Sequence, residues 1–394
     1  MNAAAEQFDG QPTPGAAQIR HAKTAHPNLA YPETVIASPD FLPRQPDPSP
    51  APHTPVRPDW LALRREDILD PGLPIIDAHH HLWEFPEKSY GCSDLLADIG
   101  QGHNITATVF IECKTGYRTS GAESLRPVGE IEFARSQGER AGGAIDICAG
   151  IVGYADLRLG AAVVPALQAQ QAAAGGRLRG IRNITVWHAD PSLRLSASRP
   201  PAGVLSDPMF RMGFRHLAPM GLSFDAWLVH TQLDELRALA LDFPGTPIVL
   251  NHLGGPIAIG PYTGRRQDVF MAWRGALERL AGCPNVFMKI GGFGMPLFGF
   301  EFHRLPVPPS SVQIAAAVRP YAETCLELFG AGRCMFESNF PVDKGSFDYS
   351  ILWNAFKRLA AGASATETAS LFHDTAADFY GLAGDQRSPV PAAR

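Results

Sequence analysis

From about residue 74 onward, short runs of apolar and β-branched residues alternate with longer stretches in which apolar side chains recur every three or four positions. The first pattern fits a buried strand and the second an amphipathic helix. Eight runs are predicted as strands: Pro74–Ala78, Thr106–Glu112, Asp146–Val152, Leu178–Ile184, Leu222–Leu228, Pro247–Asn251, Val286–Ile290 and Cys334–Ser338. Helical spacing follows most of them, as in Gln232–Leu241, Val269–Ala281, Ser311–Phe329 and Ser350–Ala361. Such alternation implies parallel strands joined by crossover helices. Eight units favour a closed (β/α)8 barrel over an open doubly wound sheet. No glycine-rich phosphate fingerprint follows the first run, and Gly254-Gly255 and Gly291-Gly292 come after later strands, outside that context.

Residues 1–58 stand outside this pattern. They are rich in proline and alanine, as in Gln45-Pro-Asp-Pro-Ser-Pro-Ala-Pro52, and such a stretch buries too little apolar surface to offset its ordering entropy. The expected division is a Pro/Ala-rich arm over 1–58, a barrel over 59–384 and a flexible tail over 385–394. A hydrophobic fraction of 45% with 19% charged residues fits a globular chain with a large core. The net charge of −5 offers no basic footprint for nucleic acid. Apolar runs such as that around Ile248–Leu250 are too short to cross a bilayer, and no secretory signal pattern opens the chain. Six scattered cysteines without a C-x-x-C pair read as reduced thiols of a cytoplasmic protein. The expected partner is a small molecule, with a homodimer as a compatible assembly.

Active sites of such barrels lie at the C-terminal ends of the strands, so the polar residues there carry the chemistry. The first run ends Asp77-Ala78-His79-His80-His81-Leu82-Trp83. Alternation places Asp77, His79 and His81 on one face and His80 on the other. Two imidazoles at a barrel mouth suit a divalent metal or an oxyanion. The fifth run leads to His230 and the sixth to His252, which puts four histidines at three strand ends. One such histidine is usually structural; chance is a poor explanation for four. Arg182 ends the fourth run and either clamps a substrate oxygen or sits in an ordinary ion pair. Lys289, inside the seventh run, needs a partner for its buried charge, either a substrate oxygen or a carboxylate such as Glu337. Glu112, Tyr117 and Arg118 follow the second run as candidate lining residues. The eighth run gives Glu337 and Asn339 on one face, with Asp343 beyond; a carboxylate here serves as general base or as half of a structural ion pair.

Together Asp77-x-His79-x-His81-x-Trp83, His252 with Gly254-Gly255-Pro256, Lys289-x-Gly291-Gly292 and Ser338-Asn339-Phe340-Pro341 resemble the amidohydrolase-related family of metal-dependent hydrolases and lactonases, over roughly residues 74–382. The resemblance implies a distorted barrel in which His79 and His81 bind metal, or bind substrate directly in metal-free lactonase members. His252 matches the sixth-strand histidine, and His230 stands where the wider superfamily often places a fifth-strand ligand. One departure stands out. The family's usual Asp after strand eight is Asn339 here, which cannot take up a proton at neutral pH and is a poor ligand. Glu337, Asp343, His252 or His230 is then expected to replace it, or Asn339 itself positions substrate.

The resulting expectation is hydrolysis of a small cyclic ester or amide, a lactone foremost. One divalent ion, with zinc expected, would be held by His79 and His81 with His230 or His252; a metal-free site is the alternative. Tyr117, Arg118, Arg182 and Lys289 are the expected substrate-binding residues, and His252, Glu337, Asn339 and Asp343 the expected catalytic ones. Two other readings stay open: non-oxidative decarboxylation of an aromatic acid, and a non-catalytic barrel that binds a small ligand.

Overall fold

The structure, a computed structural model, describes residues 53–143 and 145–382. The proposed tail over 385–394, and all but the last six residues of the proposed arm, lie outside the described residues. Each of the eight predicted runs overlaps an observed strand: β1 Pro74–His80, β2 Asn104–Ile111, β3 Asp146–Gly153, β4 Leu178–Ile184, β5 Ser223–Trp227, β6 Ile248–Leu250, β7 Val286–Ile290 and β8 Cys334–Phe336. They pair in chain order and every pair is parallel. One helix follows each strand: α1 Cys92–Ile99, α2 Val128–Ala141, α3 Val164–Ala173, α4 Pro208–Phe214, α5 Leu233–Asp242, α6 Arg266–Ala281, α7 Ser311–Phe329 and α8 Tyr349–Leu359. Their starts are marked locally: Asp207 accepts from Met209 N with Pro208 next in line, Ser310 and Gln313 form a capping box, and Asp348 caps α8.

The ring closes through a short seam instead of a full ladder. His80 bridges Phe340, His81 N–H donates to Phe340 O (2.7 Å), and Asn339 N–H donates to His79 O (2.8 Å). The seam therefore runs through the two segments richest in candidate chemistry. Most of the core lies between strands and helices. A smaller inner cluster of Ile76, Val109, Ile111, Val152, Val249 and Met335 packs with Ala376, Ala377 and Tyr380, so the C-terminal helix Thr375–Tyr380 belongs to the barrel's interior layer.

One expectation about facing fails in β1. A register shift between Asp77 and His80 interrupts the alternation. Asp77 does not join His79 and His81: its carboxylate accepts from Ser338 N (2.9 Å) and from the Tyr349 hydroxyl on α8 (3.0 Å). Burial pushes the Asp77 carboxyl up to about 6. No helix among the described residues is long and apolar enough to cross a membrane.

Candidate functional site

Four side chains form the centre. His81 Nδ1 lies 2.8 Å from the Ile111 carbonyl, which can only accept, so Nδ1 carries the proton and Nε2 is bare. His252 Nδ1 donates to Glu337 Oε1 (2.7 Å), which leaves its Nε2 bare as well. Glu337 Oε1 also accepts from His252 N (3.0 Å). Its carboxylate thus fixes the tautomer of His252, while Oε2 lies 2.9 Å from His79 Nδ1 and has no hydrogen-bond partner among the described residues. Burial holds His79 and His81 well below the usual histidine range, and it lowers His252 against the opposing pull of Glu337. All three are neutral at physiological pH.

The glycines beside them explain the close packing. A Cβ on Gly292, whose φ is +70°, would stand 2.7 Å from His252 Cβ and nearer still to its Nδ1. A Cβ on Gly291 would collide with the Glu337 carbonyl oxygen and Cγ. The Gly291-Gly292 pair after β7 leaves room for the neighbouring site residues.

Two cations approach this centre, each already paired. Arg182 Nε donates to Glu112 Oε1 (2.9 Å), with Nη1 3.4 Å from His79 Nε2. Lys289 Nζ donates to Asp225 Oδ2 (2.7 Å) and lies 3.4 Å from His79 Nδ1. Asp225 also accepts from Asn251 Nδ2 and from the Tyr380 hydroxyl (3.0 Å each). The partner of Lys289 is therefore Asp225, not Glu337. With Arg182 on Glu112 and Lys289 on Asp225, Glu337 is left with N–H donors alone, an arrangement that favours a cationic guest.

The other predicted residues lie elsewhere. Asp343 makes no hydrogen bond to the histidines; its carboxylate takes Asn339 Nδ2 (2.9 Å) and Gly294 N (2.9 Å), and burial pushes it well above the usual range. Asn339 sits at φ +54°, which ends the strand alternation, so it does not share a face with Glu337. Asn tolerates this conformation, and its amide is the donor that Asp343 requires. Asn339→Asp, which would bring back the family's usual residue, is expected to lower stability by about 1–3 kcal/mol at neutral pH. It is not expected to raise activity; urea unfolding and steady-state assays check both. Arg118 is exposed and paired with Glu132, away from the centre. Tyr117 is half-buried with its hydroxyl unpartnered, beside Glu112 and Glu130.

His230 requires a different role from the predicted one. Its Nδ1 accepts from Ile257 N (3.3 Å), so the neutral ring carries its proton on Nε2. Burial lowers it to about 4. An Nε2–H is a hydrogen-bond donor and not a metal ligand.

Glu130, not singled out in the sequence, is fully buried and accepts from Cys113 N (2.7 Å) and Thr115 N (3.0 Å). Burial, with Glu112 nearby, raises it from 4.5 to about 8. The folded state then keeps a proton that the unfolded chain loses, so stability should fall as pH rises through that window. Glu130→Gln keeps the acceptor oxygen without the titration and is expected to flatten the curve. Melting temperatures of both proteins at about pH 5 and pH 8 test this.

The donor set fits a divalent cation. His79 Nε2 and His81 Nε2 are 3.1 Å apart, close enough to share one proton or one cation between them. Ligand atoms of His79, His252 and Glu337 lie within 4.8 Å of one another, all on buried residues. His79 and His81 through Nε2, with Glu337 Oε2 alongside, are the residues that would hold such an ion. His81 donates its other nitrogen to the Ile111 carbonyl, as metal-bound histidines commonly do.

Comparison with known proteins shows the family of the chain. The uncharacterized protein y4mH from Sinorhizobium fredii is 34% identical over 333 residues, covering 78% of this chain and 98% of its own length. An L-fucono-1,5-lactonase from Burkholderia ambifaria is 25% identical over 68% of this chain and 81% of its own length. A crystal structure of an amidohydrolase from Burkholderia multivorans with bound zinc superposes with a TM-score of 0.60 at 23% identity, covering 78% of this chain and 99% of that one. The sequence profile of the Amidohydrolase family Amidohydro_2 matches residues 76–382, which takes in every barrel strand but the start of β1, and the chain belongs to that family.

Proposed function

We propose that this amidohydrolase-family enzyme opens a small cyclic ester, a lactone, by attack of water on its carbonyl at the His79–His81–His252 centre. The observation that carries the reading is the hydrogen bond from His252 Nδ1 to the buried Glu337 carboxylate (2.7 Å). His252 then has a bare Nε2 facing the site and a carboxylate behind its other nitrogen, the arrangement of a general base whose imidazolium is stabilised as it forms. This assigns the base in a chain where Asn339 cannot serve.

In this reading His252 Nε2 takes a proton from the attacking water. The new bond joins the water oxygen to the carbonyl carbon, and the ring C–O bond breaks. His252 returns the proton to the departing alkoxide, so the product is an open hydroxy acid. Arg182 Nη1 and His230 Nε2–H are donors suited to substrate oxygens near the centre. A divalent ion, zinc in this proposal, would supply Lewis-acid polarisation of the carbonyl. The relatives named as an L-fucono-1,5-lactonase and an L-rhamnono-gamma-lactonase support a lactone over an amide. A cytoplasmic setting is part of the proposal, favoured by six unpaired cysteines.

The test is proton release in a pH-stat from a panel of five- and six-membered lactones, with zinc or manganese replenished. Turnover that disappears in His252→Gln is expected. No proton release from any lactone under any metal condition would overturn the proposal.

A further inference from the structure

Beside the centre, three consecutive strand ends contribute a second group of polar rings that the chemistry above leaves largely unused. His188 follows β4, His230 follows β5, and Tyr262 lies in the loop after β6. Their proton positions are fixed by their partners. Asp190 N–H donates to His188 Nδ1 (3.0 Å), so His188 carries its proton on Nε2. That Nε2 lies 2.9 Å from the Tyr262 oxygen and donates to it. With its oxygen taken as acceptor, the Tyr262 hydroxyl hydrogen points onward, and it meets no acceptor among the described residues. His230, 6% exposed, likewise carries its proton on Nε2, because Nδ1 accepts from Ile257 N. Its Nε2–H makes no hydrogen bond among the described residues.

The three rings pack together. Tyr262 stands edge-on to His230 at 5.4 Å between centroids and edge-on to His188 at 5.6 Å. Their loops are locked to one another: Leu193 of the β4 loop presses on Gly260 so closely that a Cβ there would meet its Cδ2 at 2.6 Å. The group also adjoins the loop that carries His252: His230 N–H donates to Gly255 O (3.1 Å), and Ile257 N–H donates to His230 Nδ1 (3.3 Å). His188 and Tyr262 are both half-buried, so one side of the group is open to solvent.

An O–H and an N–H that are both held in place, both unspent and both neutral form a binding edge for acceptor oxygens. We propose that Tyr262, oriented by His188, together with His230, forms a subsite for a carboxylate substituent of the substrate. Arg182 is paired with Glu112 and Arg118 with Glu132, which leaves the neutral donors Tyr262 and His230 to bind such a substituent. A hydroxymethyl group in the same place would present its own hydrogen to an edge already made of donors, and is the poorer fit.

This subsite rests on the lactonase reading for its kinetic test and not for its binding test. The first measurement compares 5-oxotetrahydrofuran-2-carboxylate with 5-(hydroxymethyl)dihydrofuran-2-one as substrates. The native enzyme should prefer the carboxylate, and Tyr262→Phe should reduce that preference about tenfold, mainly through KM, the effect of one hydrogen bond to a charged group. His188→Ala should act in the same direction and less strongly, because it frees the Tyr262 hydroxyl to rotate. Equal losses for both substrates, or no change in the ratio, would overturn the subsite. The second measurement is calorimetric binding of 5-oxotetrahydrofuran-2-carboxylate. If neither lactone is hydrolysed, binding that weakens about tenfold in Tyr262→Phe sustains the subsite while the lactonase proposal fails. No binding to the native protein overturns the subsite itself.

Discussion

Glu337→Gln should lower kcat/KM by roughly 10²–10⁴-fold while the barrel still folds. Gln is nearly isosteric, so the fold loses little volume. The loss is electrostatic and directional. Glu337 Oε1 now accepts two N–H groups, from His252 Nδ1 and His252 N, and Oε2 lies 2.9 Å from His79 Nδ1. A Gln amide has one oxygen, and its NH₂ must then face one of the two imidazoles. That histidine has to take the other tautomer and put its proton on Nε2, where the site needs a lone pair. The buried negative charge that would stabilise an imidazolium on His252 is lost as well. Circular dichroism and a denaturation curve close to the native protein's, together with the loss in kcat/KM, would separate this effect from unfolding. A Glu337→Gln enzyme with native kcat/KM would show that the carboxylate only fills space.

Gly292→Ala should be nearly as damaging, through a different cause. The new methyl would be placed 2.7 Å from His252 Cβ, and its backbone would be held at a φ of +70° that alanine disfavours. The two costs together come to about 2–5 kcal/mol. His252 is the group that must give way, and a displacement of about 1 Å at a catalytic residue costs on the order of a hundredfold in rate. Gly176 is the control. It also has positive φ, at +83°, but nothing lies within 4 Å of a Cβ built there. Gly176→Ala should therefore show the modest backbone cost in thermal melting and keep its activity. If the two variants behave alike, contact with His252 is not what makes Gly292 necessary.

The barrel was readable from the chain because its signal is periodic and repeated. Eight apolar runs with helical spacing between them allow few other architectures, and all eight overlap observed strands. His79, His81 and His252 were readable because each stands at the end of such a run. What escaped depends on partners distant in sequence. Asp225 lies in the middle of β5, and no neighbouring residue in the sequence marks its role. Its role appears only when Lys289, 64 positions later, and Tyr380, 155 positions later, come to it. The nearest signal was Lys289 itself, a buried cation that had to have a carboxylate. The pairing of Asp77 with Tyr349 spans 272 positions and depends on a register shift that alternation does not predict. His230 was correctly placed at a strand end, but its tautomer is set by the backbone of Ile257, which no residue pattern announces.

The most direct measurement is isotopic. A lactone that the enzyme turns over is incubated in ¹⁸O-labelled water, and the product is analysed by mass spectrometry. Attack of water on the carbonyl at the His79–His81–His252 centre predicts one ¹⁸O in the new carboxylate and none in the alcohol, with formation of the product abolished by Glu337→Gln. Label in the alcohol oxygen, release of carbon dioxide, or undiminished product from the Glu337→Gln enzyme would contradict it.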